Sequence, residues 1–124
     1  MNPAEVVTTF IQAVTRRDFD AAFELVTDDL EYDNVPVPSI HGATQAREWL
    51  EAFLAHVEET EWIVRRIVAD GDTVFTERTD RFLMSGRWID LPVAGVFELR
   101  DGKIALWRDY FDLQTALGAT QPPA

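Results

Sequence analysis

The apolar residues of this chain change period once, near Glu61, and that change restricts the fold more than any other feature. Before it, apolar side chains recur at helical spacing. After it they alternate, and the alternation is broken by Asp70-Gly71-Asp72, Ser85-Gly86 and Asp101-Gly102, sequences that turn hairpins. Four antiparallel strands are expected over residues 61–69, 73–84, 88–99 and 103–112, with Pro92 and Gly95 suggesting a bend or bulge in the third.

In the first half, Asn2-Pro3-Ala4-Glu5 reads as a helix start, with Asn at the cap, Pro at the first helical position and an acid in the first turn. Val6, Val7, Phe10, Ile11 and Val14 then follow at helical spacing. Asp18 caps a second, short helix that places Phe19, Ala22, Phe23 and Val26 on one face, ended by Thr27-Asp28-Asp29. Residues 30–35 suit a strand stopped by Pro36 and Pro38, in which Leu30, Tyr32 and Asn34 share one face and Glu31, Asp33 and Val35 the other. A third helix opens near Thr44 and carries Ala46, Trp49, Leu50, Phe53, Leu54 and Val57. The order is α+β, with three N-terminal helices packed on one face of a curved, mostly antiparallel sheet that forms a cone with a pocket. The tail, 121–124, is expected to fray. At 124 residues the chain is expected to be one domain, 1–124, closing one core and offering one site.

Composition removes several function classes. A formal charge of −11 opposes binding to phosphate backbones and anionic lipid, so neither nucleic acid nor membrane is expected as a partner. The chain has no Cys, and its only histidines, His41 and His56, lack metal-ligand spacing, so no metal is expected and Ser-His-Asp or Cys-His chemistry is disfavoured. Met1 to Glu5 carries no targeting signal, and a cytoplasmic location is the default.

The candidate site comes from charges on faces that ought to be apolar. In the second of the four strands, Val74, Thr76, Arg78, Asp80, Phe82 and Met84 share a face, and Arg78 and Asp80 stand roughly 6–7 Å apart along it. In the last strand Ala105, Trp107, Asp109 and Phe111 share a face on which Asp109 is the only charge. An ionised group buried alone costs several kcal/mol, so Asp109 needs a cation or a proton, and Arg78 on a neighbouring antiparallel strand is the obvious cation. The expected constellation is Asp80, Arg78 and Asp109 inside the cone, with Tyr32 and Asn34 adding neutral hydrogen-bonding groups. Spacing alone leaves a purely structural ion-pair network open beside a catalytic one.

The segments Tyr32-Asp33-Asn34-Val35-Pro36, Glu77-Arg78-Thr79-Asp80, Gly95-Val96-Phe97, Gly102-Lys103-Ile104 and Trp107-Arg108-Asp109-Tyr110-Phe111-Asp112 resemble, in this order along nearly the whole chain, the limonene epoxide hydrolase family. That family has the cone-shaped fold shared with ketosteroid isomerase and nuclear transport factor 2. The resemblance implies an epoxide hydrolase in which Asp80 is the general acid, Arg78 bridges the carboxylates, Asp109 is the base that activates water, and Tyr32 and Asn34 hold that water. Opening an epoxide by one-step acid/base catalysis requires no cofactor. The chain departs from the family at its pocket wall, Phe82-Leu83-Met84 and Trp88-Ile89-Asp90-Leu91, so the resemblance leaves the substrate open. The apolar wall implies a small apolar epoxide, terpenoid, steroid-like or lipid-derived, and the family analogy implies a homodimer. The same fold also leaves room for a ketosteroid isomerase-like isomerase or cyclase, or for a non-catalytic binding module.

Overall fold

The computed structural model describes residues 1–118; the expected fraying of 121–124 falls outside them. α1 (Pro3–Thr15) starts as its sequence dictates: the Asn2 side chain accepts a hydrogen bond from the Glu5 amide at 2.8 Å, and the Glu5 carboxylate accepts one from the Asn2 amide. α2 (Phe19–Phe23) is capped by Asp18, as expected, but stops before Val26. Val26 instead opens β1 (Val26–Asn34), because it pairs with Ile104 and the Leu25 carbonyl accepts from the Ile104 amide at 2.8 Å. Thr27-Asp28-Asp29 therefore lies in a strand rather than ending a helix, at a register irregularity that leaves both Asp side chains in solvent.

β2 (Ile40–His41) is a two-residue strand absent from the sequence expectation, and α3 (Ala43–Leu54) follows from Gly42, whose φ of 98° few other residues adopt. β3 (Glu59–Asp70), β4 (Thr73–Met84), β5 (Arg87–Arg100) and β6 (Lys103–Tyr110) form the expected meander. A short helix, α4 (Leu113–Gly118), was not anticipated. Its start is signalled by Asp112, which accepts from the Thr115 amide at 2.9 Å.

The six strands form one open, mixed sheet in the order β2-β1-β6-β5-β4-β3, antiparallel throughout except for the parallel pair β1 and β6. It has the α+β layout expected, with the helices covering one face and their apolar stripes meeting Leu30, Val74, Phe97, Ile104 and Trp107 in the core. Phe10 of α1 sets its ring edge-on to Trp107 at 5.1 Å, which ties the helical layer to the middle of the sheet.

Two expectations need correction. Pro92 and Gly95 neither bend nor bulge β5, whose pairing with β4 runs unbroken from Arg87 to Glu98. Pro92 lies past the end of β6, whose pairing with β5 begins at Ala94, so on that side its missing N–H has no ladder to interrupt. The irregularity falls between Glu98 and Leu99, opposite Ile104 and Leu106, and as a result Ile104 rather than Ala105 is buried in line with Trp107. Among the described residues no helix is long and apolar enough to cross a membrane.

Candidate active site

Strict alternation along β4 turns Val74, Thr76, Arg78, Asp80 and Phe82 into the covered face of the sheet. Arg78 is 1% exposed, Asp80 3% and Asp109 4%, so three ionisable groups share the interior of a small domain. They are joined through one guanidinium. Arg78 Nε and Nη2 donate to Asp80 Oδ1 and Oδ2 at 3.0 and 2.9 Å, while Nη1 and Nη2 donate to Asp109 Oδ1 and Oδ2 at 3.2 and 2.9 Å. Nη1 also donates to Thr76 Oγ1 at 3.1 Å. All five N–H donors of the side chain are thereby used, in the forked geometry that suits two carboxylates.

The strands that carry this bridge are not neighbours, contrary to the sequence expectation. β5 runs between β4 and β6, and the residue between the two charged positions is Gly95, which pairs with Thr76 on one side and Asp109 on the other. A Cβ there would stand 2.4 Å from Arg78 Nη1. The absent side chain is what lets the guanidinium reach across a whole strand.

Trp62 of β3, which pairs with Asp80, closes the other side of the arginine: Arg78 Cζ lies 5.4 Å from the centre of its ring, and its Nε1 donates to Thr60 Oγ1 at 3.0 Å. Thr76, Gly95 and Trp62 were not read as parts of the site from the sequence. Thr76 carried a signal, since it shares the inward face with Arg78 and Asp80.

Tyr32 and Asn34 reach the site through the parallel pairing of β1 with β6, which sets Asn34 beside Asp109 and Tyr32 beside Trp107. The Tyr32 ring stacks on Trp107 at 3.9 Å and its hydroxyl donates to Asn34 Oδ1 at 3.4 Å. Among the described residues, Asn34 Nδ2 is buried without a hydrogen-bond partner.

Tyr32, Asn34, Asp80 and Asp109 all line a cavity of about 190 Å3, whose remaining wall is aromatic and aliphatic. Arg78 does not line it; it sits behind the two carboxylates. Of the expected wall, Phe82, Ile89 and Leu91 face the cavity. Leu83, Trp88 and Asp90 do not, because alternation turns them to the other face, where Arg81 stacks on Trp88 and bonds Asp90. Val37, Trp49 and Leu113 line the cavity and are also solvent-exposed, which marks its mouth.

The electrostatics separate the groups. Burial drives the Asp80 carboxyl up to about 6; Arg78 works against that rise and Asp109 adds to it. Burial disfavours the charge on Arg78, but the two carboxylates outweigh it and hold the guanidinium more firmly protonated than in water. Burial, reinforced by the charge of Asp109, keeps the Tyr32 hydroxyl protonated. Among the described residues no group of three or more His, Cys, Asp or Glu side chains is placed to hold a metal ion. The arrangement offers a carboxyl able to give a proton near neutral pH, a second carboxylate, and a free amide donor, all at the polar end of an apolar cavity.

Residues 1–121 match the family model for the limonene-1,2-epoxide hydrolase catalytic domain. Epoxide hydrolase EphG of Mycobacterium tuberculosis is 40% identical over 107 residues, which cover 86% of this chain and 71% of that protein. The solved structure of an M. tuberculosis epoxide hydrolase of the same type superposes with a TM-score of 0.84 at 37% identity, covering 94% of this chain and 87% of that one. A polyketide cyclase-like protein from Xanthomonas campestris pv. campestris superposes nearly as well, with a TM-score of 0.83 over 96% of each chain, but at 22% identity it speaks for the cone fold alone. The chain thus belongs to the limonene epoxide hydrolase family, and it is an epoxide hydrolase.

Proposed function

We propose that the chain, acting as one domain over residues 1–124, adds water to an apolar epoxide in a single acid/base step carried by Asp80 and Asp109. The observation behind this reading is the single guanidinium that grips two buried carboxylates, both of which face the same apolar cavity. Asp80, with its carboxyl raised to about 6, donates its proton to the ring oxygen as the C–O bond breaks. Asp109 takes a proton from the attacking water, and the water oxygen bonds to the ring carbon on the face opposite the departing oxygen. The products are a vicinal diol, an ionised Asp80 and a protonated Asp109. Passage of that proton back to Asp80 completes the cycle, so the net change is the addition of one water.

Tyr32 and Asn34 orient the attacking water beside Asp109, a role supported by the unpartnered Asn34 Nδ2 and by the register of β1 on β6. Arg78 has no donor left for substrate and acts by fixing the carboxylates. The apolar wall favours a terpenoid, steroid-like or lipid-derived epoxide, because binding there gains mainly from burial of hydrocarbon. We also read the protein as a homodimer: Val68 and Phe75 pair side by side on the uncovered face of the sheet, about half exposed or more, with exposed Tyr110 on the same face.

A panel of epoxides screened for diol formation, with wild type beside Asp80→Asn and Asp109→Asn, tests the site. Each variant is expected to stay folded and to lose about a hundredfold or more in rate, the usual scale of a proton-transfer contribution. Near wild-type hydrolysis by either variant removes that residue from the mechanism.

A further inference from the structure

Trp62 is shared by two cavities. It lines the catalytic cavity, next to Asp80. It also lines a separate groove of about 330 Å3 between α1 and β3, which Thr8, Ile11, Gln12, Thr15 and Val64 help to line. The indole is pinned in this position by its bond to Thr60, by the guanidinium of Arg78 and by Trp107, whose ring lies 6.0 Å away. It is a wall between two spaces.

The position of this wall sets a direction in the site. The mouth of the catalytic cavity involves Val37, which follows β1, Trp49 of α3, which packs on β1 and β2, and Leu113, which follows β6. Those strands make up the β2-β1-β6 half of the sheet, and β3 with Trp62 is the far edge of the other half. An epoxide whose oxygen lies at Asp80 therefore has open space for a substituent towards the mouth and an indole in the way on the β3 side.

We propose that Trp62 is a specificity-determining residue that ends the substrate cavity beside Asp80, so that the enzyme accepts epoxides with bulk on one side of the ring and rejects those with long chains on both. This rests on the placement of the ring oxygen at Asp80 proposed above. Were the indole smaller, the cavity would continue into the α1–β3 groove and a second chain would have somewhere to go.

Two isomers of epoxydodecane, one with the ring at the chain end and one with it at mid-chain, contain the same atoms, so the ratio of their kcat/KM values reads shape. Wild type is expected to favour the terminal isomer by about tenfold or more, within the range by which apolar pockets discriminate. Trp62→Ala should collapse that preference, Trp62→Leu should reduce it, and adding Ile11→Trp to Trp62→Ala, which refills the groove, should restore it. Asp80→Asn is assayed on both isomers in parallel: turnover there refutes the placement of the ring oxygen, whereas its inactivity leaves the ratios to judge Trp62 alone. Equal kcat/KM for the two isomers in wild type, which needs no variant to fold, overturns the proposal. So does a ratio that stays put in either folded, active Trp62 variant.

Discussion

Gly95→Ala adds one methyl group in the middle of the sheet. Gly95 does not have the positive φ found at Gly42, Gly71, Gly86 and Gly102, so alanine fits its backbone and the whole effect must come from contacts. The new Cβ would stand 2.4 Å from Arg78 Nη1, 2.8 Å from Thr76 Oγ1 and 2.9 Å from Asp109 Oδ1. Comfortable contact needs about 3.5 Å, so the guanidinium must retreat by roughly 1 Å. The Nη1 bond to Asp109, already 3.2 Å long, does not survive that movement. Overpacking of this kind costs about 1–3 kcal/mol, and full separation of a buried charge from its partner about 3–5. Alanine returns about 0.4–1 kcal/mol by restricting the unfolded chain. The net expectation is a loss of up to about 4 kcal/mol.

Rate should suffer as well as stability. A displacement of about 1 Å in a group that orients both carboxylates is worth on the order of a hundredfold in turnover. Urea unfolding and diol formation on the same preparation measure the two losses. A folded Gly95→Ala variant with wild-type midpoint and wild-type rate would mean that the guanidinium does not cross β5 at this point, and the site would have to be rebuilt.

Arg78→Ala leaves two carboxylates facing each other without their cation and should cost about 3–5 kcal/mol at neutral pH; an unchanged melting temperature contradicts the buried bridge. The raised carboxyl of Asp80 gives stability a pH dependence of known sign: its contribution is complete below its ordinary value of 3.8 and is lost as pH rises through about 6. Asp80→Asn has no such proton, so relative to wild type it should gain up to about 3 kcal/mol between about pH 4 and pH 7. A constant difference in paired urea melts, or a change of the other sign, refutes the shift. Single-step opening puts the solvent oxygen into the diol in the first turnover, so enzyme in excess over epoxide in heavy-oxygen water should yield labelled diol. Unlabelled diol, with the label in Asp80 or Asp109, would mean that a carboxylate attacks the ring and is hydrolysed afterwards.

The hairpin half of the fold was legible because its information is local: each turn of the β3 to β6 meander is marked by Gly beside Asp or Ser, and period-2 alternation fixes the faces between them. Where the sequence misled, the determinant lay far away in the chain. Thr27-Asp28-Asp29 is as polar as a loop and lies in the strand because Val26 and Glu31 on either side of it pair with β6, some eighty residues on. β2 is two residues long and has no pattern of its own. α4 did carry a cap, Asp112 followed by Thr115, but it abutted a strand already assigned through Asp112.

The site shows the same division. Asp109 announced itself as the one charge on a face of bulky apolar groups, whereas neither face of β4 is cleanly apolar, so alternation put Arg78 and Asp80 on one face without deciding that this face is covered. The partnership of the three was expected too, but across neighbouring strands; that β5 lies between β4 and β6, and what β5 omits, did not follow. Gly95 was noticed, but as a weakness in a strand, since a glycine in an extended segment reads as a bulge until the residues on either side of it are known. Once Thr76 and Asp109 are seen to flank it, the glycine becomes the passage through which one arginine reaches two strands. That passage also decides how the labour is divided. With every donor of Arg78 committed to Asp80, Asp109 and Thr76, the cation has none left for a substrate, and the mechanism we propose therefore gives proton transfer to the two carboxylates it holds, which alone of the three reach the cavity.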